Sequence, residues 1–404
     1  MDDTQFDGLT RRINTAVSRR TGIFGALAGF AAVATRSASA RVDVPPDCRG
    51  TGTQCTDGSE CCSGRCIPKA DGTMRCARTA SNKKKGGGGK NNNAPLQCTV
   101  CASGCPFTTI EAAVAAAAPG AVVTVGPGTY TPVRDETYAS TMVVTKDLTL
   151  RACDPAHRPL VLADQRSQGR ALFYLSTYDG TDCHDAITVV IDGFDFRGTT
   201  SSDNPGTSLL VASCDTDWTL RNSSVREFGS TPYLTFLQSP ITSASIGHGL
   251  IENTVITDCV SNQGPDTAMV LTAFAGVPDL VSEVEIRDCV IADNTGQSTS
   301  LRAYSRGRII LSGSTEVRNN MSSTLYSGGV YLGASNVQDP GELVIRGRAT
   351  IHDNVCPAQG CGVYAESGNP VTGATARNVF DNISINDESC PDIYLDGAAD
   401  PCPF

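Results

Sequence analysis

The chain has 404 residues, 18 of them cysteine and only four histidine, with a formal net charge of −10. So many cysteines with so few histidines fit disulfides in an oxidising compartment and argue against zinc sites or a reduced cytosol. No run of eighteen apolar residues occurs, so no membrane-spanning helix is expected once the N-terminus is processed, and a chain rich in Gly, Ser, Thr, Asn and Val suits short strands and turns rather than a helical bundle.

Residues 1–40 read as an export signal. Arg19-Arg20 precedes the apolar run Gly22 to Val33, and Ala38-Ser39-Ala40 supplies a small-x-small cleavage site. The paired arginines resemble the twin-arginine type of signal, which implies a bacterial-type cell and an extracellular destination.

Residues 41–78 contain Cys48, Cys55, Cys61, Cys62, Cys66 and Cys76, spaced C-x6-C-x5-CC-x3-C-x9-C. A segment this short has almost no apolar core, so three crosslinks of roughly 2–4 kcal/mol each must hold it. Spacing alone leaves their pairing open. The adjacent Cys61-Cys62 pair and the spacing resemble the cystine-knot miniproteins called knottins. That resemblance implies first-to-fourth, second-to-fifth and third-to-sixth pairing and an inhibitor, toxin or binding module; the plainer reading of the segment is a stapled spacer or binding knob. Residues 79–97 then form a flexible basic linker with Lys83-Lys84-Lys85 followed by four glycines. Residues 41–97 hold ten Lys and Arg against five Asp and Glu, whereas 98–404 hold 17 against 34. A small basic head thus precedes a large acidic body. No aromatic residues interleave the lysines, so no nucleic-acid partner is expected, and the linker reads as a solvated tether.

The body, 98–404, opens with Cys98, Cys101 and Cys105, read as a local staple. Phe107 to Gly120 follows as a helix, with Thr108 and Glu111 as a capping box. Ile110, Ala113, Val114 and Ala117 share one face, and Pro119-Gly120 is the stop signal. Ala121 to Tyr130 is a strand, a Gly-Pro-Gly turn and a tyrosine. The run FTTIEAAVAAAAPGAVVTVGPGTYT resembles the N-terminal cap and first rung of pectin-lyase-like proteins. This implies an all-β right-handed parallel β-helix whose open end is plugged by the helix, because an uncovered rung exposes apolar side chains and unpaired backbone. Strand–corner–strand segments recur from Ile187 to Ile385 with starts 24 to 35 residues apart, a solenoid repeat with loops of variable length. Asp293-Asn294, Asn319-Asn320, Asp353-Asn354 and Asp381-Asn382 mark corners, where Asn tolerates a left-handed backbone and can bond from rung to rung. Ser327 to Tyr331 and Gly360 to Tyr364, each ending Gly-Val-Tyr after such a corner, resemble rungs of polymorphic outer-membrane adhesins. Cys259 and Cys289 take matching rung positions, either as a buried ladder or as a disulfide. Cys356, Cys361, Cys390 and Cys402 are further disulfide candidates.

Catalytic signals are weak. Gly247-His248-Gly249 resembles the Gly-His-Gly of polygalacturonases, but the aspartate cluster such hydrolysis requires does not accompany it. Lyases of this fold use calcium on stacked carboxylates with an arginine base. Asp258 and Asp288, each preceding one of the matching cysteines, would lie outside and one rung apart, with Arg287 beside Asp288 but pointing the other way. Two carboxylates could hold calcium with carbonyls and water; otherwise no metal or cofactor is expected. The first expectation is therefore a secreted, non-catalytic β-helix binding a polysaccharide or cell-surface polymer. The second is a polysaccharide lyase or glycoside hydrolase acting on acidic polysaccharide, with His248, Asp258 and Asp288 as its catalytic candidates. A groove of convergent carboxylates would favour the enzyme, and a surface of Thr, Ser, Asn and Tyr would favour binding.

Overall fold

The structure is a computed structural model. It describes residues 66–68, 74–76 and 98–403, without 133–139, 164–170, 178–184, 199–207, 230–238, 262–267, 275–280, 298, 324–326, 334–339, 358, 387–389 and 399–401. The chain divides into two compact units, Met1–Asn92 and Asn93–Phe404. In the first, Cys66–Pro68 pairs antiparallel with Met74–Cys76. The export signal, the linker and the side chains of the six head cysteines lie outside the described residues.

The second unit is a parallel β-solenoid. Its successive rungs build three nine-stranded parallel sheets. Sheet A runs from Ala121–Val125 to Val371–Thr372, sheet B from Thr129–Tyr130 to Val379–Phe380, and sheet C from Ser140–Val144 to Ile393–Leu395. A short five-stranded sheet, from Val260–Ser261 to Ile383–Ser384, lines the corner between B and C. No helix among the described residues is long and apolar enough to cross a membrane.

Alternation along each strand sends every second side chain inward. Parallel pairing in register then stacks like positions into columns about 4.8 Å apart. In sheet A one inward column is Val123, Leu150, Ile191, Leu220, Ile251, Ile286, Leu311 and Ile345, all buried. Sheet B stacks Tyr130, Val161, Phe196, Val225, Ile256, Ile291, Val317, Ile351 and Val379. Each large aliphatic residue contributes about 1.5–3 kcal/mol by leaving water. These columns join in one apolar core.

The N-terminal plug is the helix Ile110–Ala116, with Ile110, Ala113 and Val114 buried. They join the same core as Val123, Val125 and Met142 of the first strands. The helix is capped by Thr109, whose hydroxyl accepts from the Ala112 amide at 3.3 Å, one residue later than the expected Thr108 box. Val100 bridges to Val125 and Phe107 beside it. The expected local staple is also corrected. Cys101 bonds Cys105, but Cys98 reaches Cys153, past the first strands of all three sheets.

Two sharp corners set the cross-section. Between sheets A and B, the residues with left-handed backbone include Gly193, Asn222, Asn253, Asp288, Gly313, Gly347 and Gly373. Between B and C they are Glu227, Asp258, Asp293, Asn319, Asp353 and Asp381. The second corner refines the expectation from the Asx-Asn pairs: the first residue of each pair turns the chain, and the second points inward. Asn294 donates to Asn320 at 2.8 Å, Asn320 to Asn354 at 2.9 Å and Asn354 to Asn382 at 3.0 Å. All four are buried. Each amide therefore satisfies its neighbour inside the core, where an unpaired polar group would be costly.

The cysteines do not match. Val255 pairs with Val290, so the partner of Cys259 one rung on is Asn294, and Cys289 aligns with Thr254. Accordingly, the Cys259 amide donates to the Asn294 side chain and the Cys289 amide to Thr315 Oγ1. Both thiols are free and buried, each at a different corner. Their sequence interval resembled a rung, but this rung is longer than that interval. Elsewhere Cys356 bonds Cys361 and Cys390 bonds Cys402. Cys214 is also disulfide-bonded, and neither it nor Cys153 was among the sequence candidates.

Candidate functional site

The outer face of sheet A carries His248. Two columns of charge alternate along it. One runs Arg151, Asp192, Arg221, Glu252 and Arg287, and the other Asp217, His248, Glu283, Arg308 and Glu342. Neighbours in them pair across rungs: Arg221 with Asp192 at 2.9 Å, Arg287 with Glu252 at 2.7 Å, His248 with Glu283 at 3.2 Å, and Arg308 with Glu342 at 2.6 Å. Glu342 and Glu283, bonded to Arg308, push its guanidinium pKa up. Asp217 accepts from the His248 amide at 2.7 Å, and Glu285 accepts from Ser312 at 2.6 Å. Such half-exposed pairs contribute about 0.2–1 kcal/mol each, yet they occupy the carboxylates.

The glycines around His248 have a packing role. A Cβ on Gly249 would stand 2.5 Å from the Trp218 ring, and one on Gly247 would stand 2.4 Å from the Thr216 carbonyl oxygen. Gly249 makes room for the buried indole directly beneath it in the same column. Gly-His-Gly is here a fitting of backbone and tryptophan between rungs.

The proposed pair of aspartates is not brought together. Asp258 turns the corner between sheets B and C, Asp288 the corner between A and B. Asp288 accepts from the Ser314 amide at 2.9 Å and its hydroxyl at 3.0 Å, as a corner carboxylate capping a turn does. Arg287 faces out of sheet A onto Glu252. Their shared spacing from a cysteine suggested one column; the strand pairing places them in two. Among the described residues no group of three or more His, Cys, Asp or Glu is arranged to hold a metal ion.

The outer face of sheet C is different in kind. Its central column is Tyr174, Val211, Thr242, Thr272, Arg302, Tyr331, Tyr364 and Tyr394. Beside it lie Ser213, Phe274 and Tyr304, with Ser213 donating to Tyr174 Oη at 3.2 Å and Ser176 at 2.8 Å. Five consecutive strands build one continuous stack. Phe274 lies on Tyr304 at 5.1 Å between ring centroids. The Arg302 guanidinium sits 4.7 Å from the Tyr304 centroid and 5.4 Å from that of Tyr331. Tyr331 then stacks on Tyr364 at 5.8 Å, and Tyr364 on Tyr394 at 5.3 Å. Arg302 is 9% exposed and Tyr331 5%, whereas Phe274, Tyr304, Tyr364 and Tyr394 are half-buried. Gly333 permits this packing, because a Cβ there would meet Tyr331 Cε1 at 2.9 Å. The Tyr331 hydroxyl donates to Glu366 Oε1. Cation–π contact of this kind is worth about 0.5–2 kcal/mol, and each aromatic pair about 0.5–1.5 kcal/mol. Because ring faces are used within the stack, the edges of its half-buried rings, Phe274, Tyr304, Tyr364 and Tyr394, are what the protein offers outward. Of these residues the sequence singled out only Tyr331 and Tyr364, as ends of the Gly-Val-Tyr rungs.

No protein-family model matches the sequence, and no curated protein matches it. Among solved structures the chain is similar to the A-module of mannuronan C-5 epimerase AlgE6 from Azotobacter vinelandii. The identity is 13%, the match covers 69% of this chain and 92% of that one, and the TM-score is 0.26. A superposition at that level carries no argument about this protein.

Proposed function

We propose that the protein is a secreted, pectin-lyase-like right-handed β-helix that binds a glycan or another cell-surface polymer without transforming it. The observation that carries this reading is the partly exposed part of the outer face of sheet C, where Phe274, Tyr304, Tyr364 and Tyr394 stand half-buried on four of five consecutive strands. Their ring edges and the tyrosine hydroxyls recur along the rungs, which suits a repeating polymer with hydroxyls. The sheet A carboxylates, the other place where acid–base chemistry could sit, are matched by arginine, histidine, serine or a backbone amide. Export is supported by the disulfides, which persist in oxidising compartments, and by the signal-like residues 1–40.

The test uses the purified chain with a panel of neutral and acidic polysaccharides, with and without calcium. Retention in affinity electrophoresis is measured alongside absorbance from unsaturated products and new reducing ends. The expected result is retention by at least one polymer, abolished by Tyr364→Ala with Tyr394→Ala, and no products. Product formation that His248→Ala or Asp288→Ala removes would replace this reading with a lyase or hydrolase. Retention indifferent to the two tyrosines would move the site off sheet C.

A further inference from the structure

The stack on sheet C has a chemistry that polymer binding does not require. Three phenols, Tyr331, Tyr364 and Tyr394, lie face to face on consecutive rungs, at 5.8 and 5.3 Å with interplanar angles of 21° and 28°. Rings in such contact exchange electrons readily. A phenol, however, gives up an electron easily only when its proton leaves at the same time, since the radical cation is a very strong acid. Tyr331 has a base in place: its hydroxyl is hydrogen-bonded to the Glu366 carboxylate. The opposite face of Tyr331 carries the Arg302 guanidinium. That cation repels positive charge on the ring, so oxidation there must proceed with proton loss to a neutral radical. It also ends the run of phenols, because a guanidinium has no readily oxidised orbital to pass the vacancy on to Tyr304. Tyr331 is buried, whereas Tyr364 and Tyr394 are half-buried.

We propose that Tyr394, Tyr364 and Tyr331 form a one-way relay that takes an oxidising equivalent from the surface and holds it as a neutral tyrosyl radical on Tyr331. The oxidant is a one-electron acceptor, of the class of peroxidase intermediates or substitution-inert metal complexes. It removes one electron from the half-buried end of the stack, and the phenolic proton of the oxidised ring goes to solvent water. As the vacancy passes inward, each ring that is refilled takes its proton back from water. At the last step the Tyr331 O–H bond breaks: its electron, with a proton from water, restores the Tyr364 phenol, and its own proton goes to Glu366. The net products are the Tyr331 phenoxyl radical, the Glu366 carboxylic acid and the reduced oxidant. Burial keeps that radical from coupling with a second phenol to give dityrosine.

The experiment treats the full chain with one equivalent of hexachloroiridate(IV), freezes samples over time and reads the tyrosyl signal by electron paramagnetic resonance. Dityrosine fluorescence is read in parallel, with far-UV circular dichroism to verify the fold of each variant. The wild type is expected to show a persistent neutral tyrosyl signal and little dityrosine. Tyr331→Phe, which keeps the stacking, should lose the persistent signal and gain dityrosine. Glu366→Gln, which keeps the hydrogen-bonding shape without the base, should lower the yield of the persistent radical. Tyr364→Phe should interrupt the relay and leave only short-lived radicals. A wild-type chain without a persistent signal, or a persistent signal unchanged in Tyr331→Phe, overturns the proposal. Neither outcome bears on polymer retention, which is read separately.

Discussion

Cys259 and Cys289 show how far a side chain's neighbours decide its chemistry. Burial pushes both thiols up to about 12, so neither is a nucleophile at any physiological pH. Above about 9, the ordinary thiol value, an unfolded chain releases these protons while the folded chain keeps them. Folding stability from each thiol is therefore full below about 9 and declines until about 12, by at most about 1.4 kcal/mol per pH unit. Urea midpoints measured from pH 8 to 11 should fall more steeply for wild type than for a Cys259→Ala, Cys289→Ala variant; parallel curves would contradict the burial. The inertness of these residues was not legible in sequence. Their interval imitates a rung, and only strand pairing reveals that Cys259 stacks under Asn294 and Cys289 beside Thr254. His248 is a similar case, since a glycine on either side suggests a catalytic turn until Trp218 is seen filling the space beneath Gly249.

At the scale of elements, the corner between sheets B and C is tied by the asparagine series. Asn320 accepts from both the backbone and side-chain nitrogens of Asn294 and donates onward to Asn354. Asn320→Ala should remove the acceptor of both the backbone and side-chain nitrogens of Asn294, at about 1–3 kcal/mol for each group left unpaired, whereas Asn354 keeps the Asn320 backbone amide. Chemical denaturation of the variant should show a midpoint shift of that size, and a shift near zero would mean that other groups satisfy those amides. This corner was readable in advance, because Asx-Asn pairs after short strands combine tolerance of a left-handed turn with a side chain that can bond its own kind. The plugging helix was readable too, through its apolar face, although its first turn begins one residue later, at the Thr109 cap. The aromatic stack was not. Tyr304 and Arg302 sit in Leu-Arg-Ala-Tyr, which looks nothing like Gly-Val-Tyr. Their shared column depends on loop lengths that no local pattern encodes.

The whole solenoid is anchored at its N-terminal end by Cys98–Cys153, which spans 55 residues of sequence. Constraining a loop of that length in the unfolded chain is worth about 4 kcal/mol. A Cys98→Ser, Cys153→Ser variant should lose stability on that order in guanidinium melts. Loss should concentrate in the first strands, where hydrogen exchange would accelerate before it does near the asparagine corner. Uniform acceleration throughout would indicate a single cooperative block instead of a coil that frays from its end. The step from one sheet A position to its neighbour is 29 residues from Asp192 to Arg221, 31 to Glu252, 35 to Arg287 and 25 to Ser312, while the paired strands keep register. Chain can therefore be added or removed at the connections into and out of sheet C without disturbing the stacked walls. That makes the molecule a natural ruler for display: a peptide grafted into one of those connections would be carried at a set height along the axis, and two grafts would be held apart by a whole number of strand spacings.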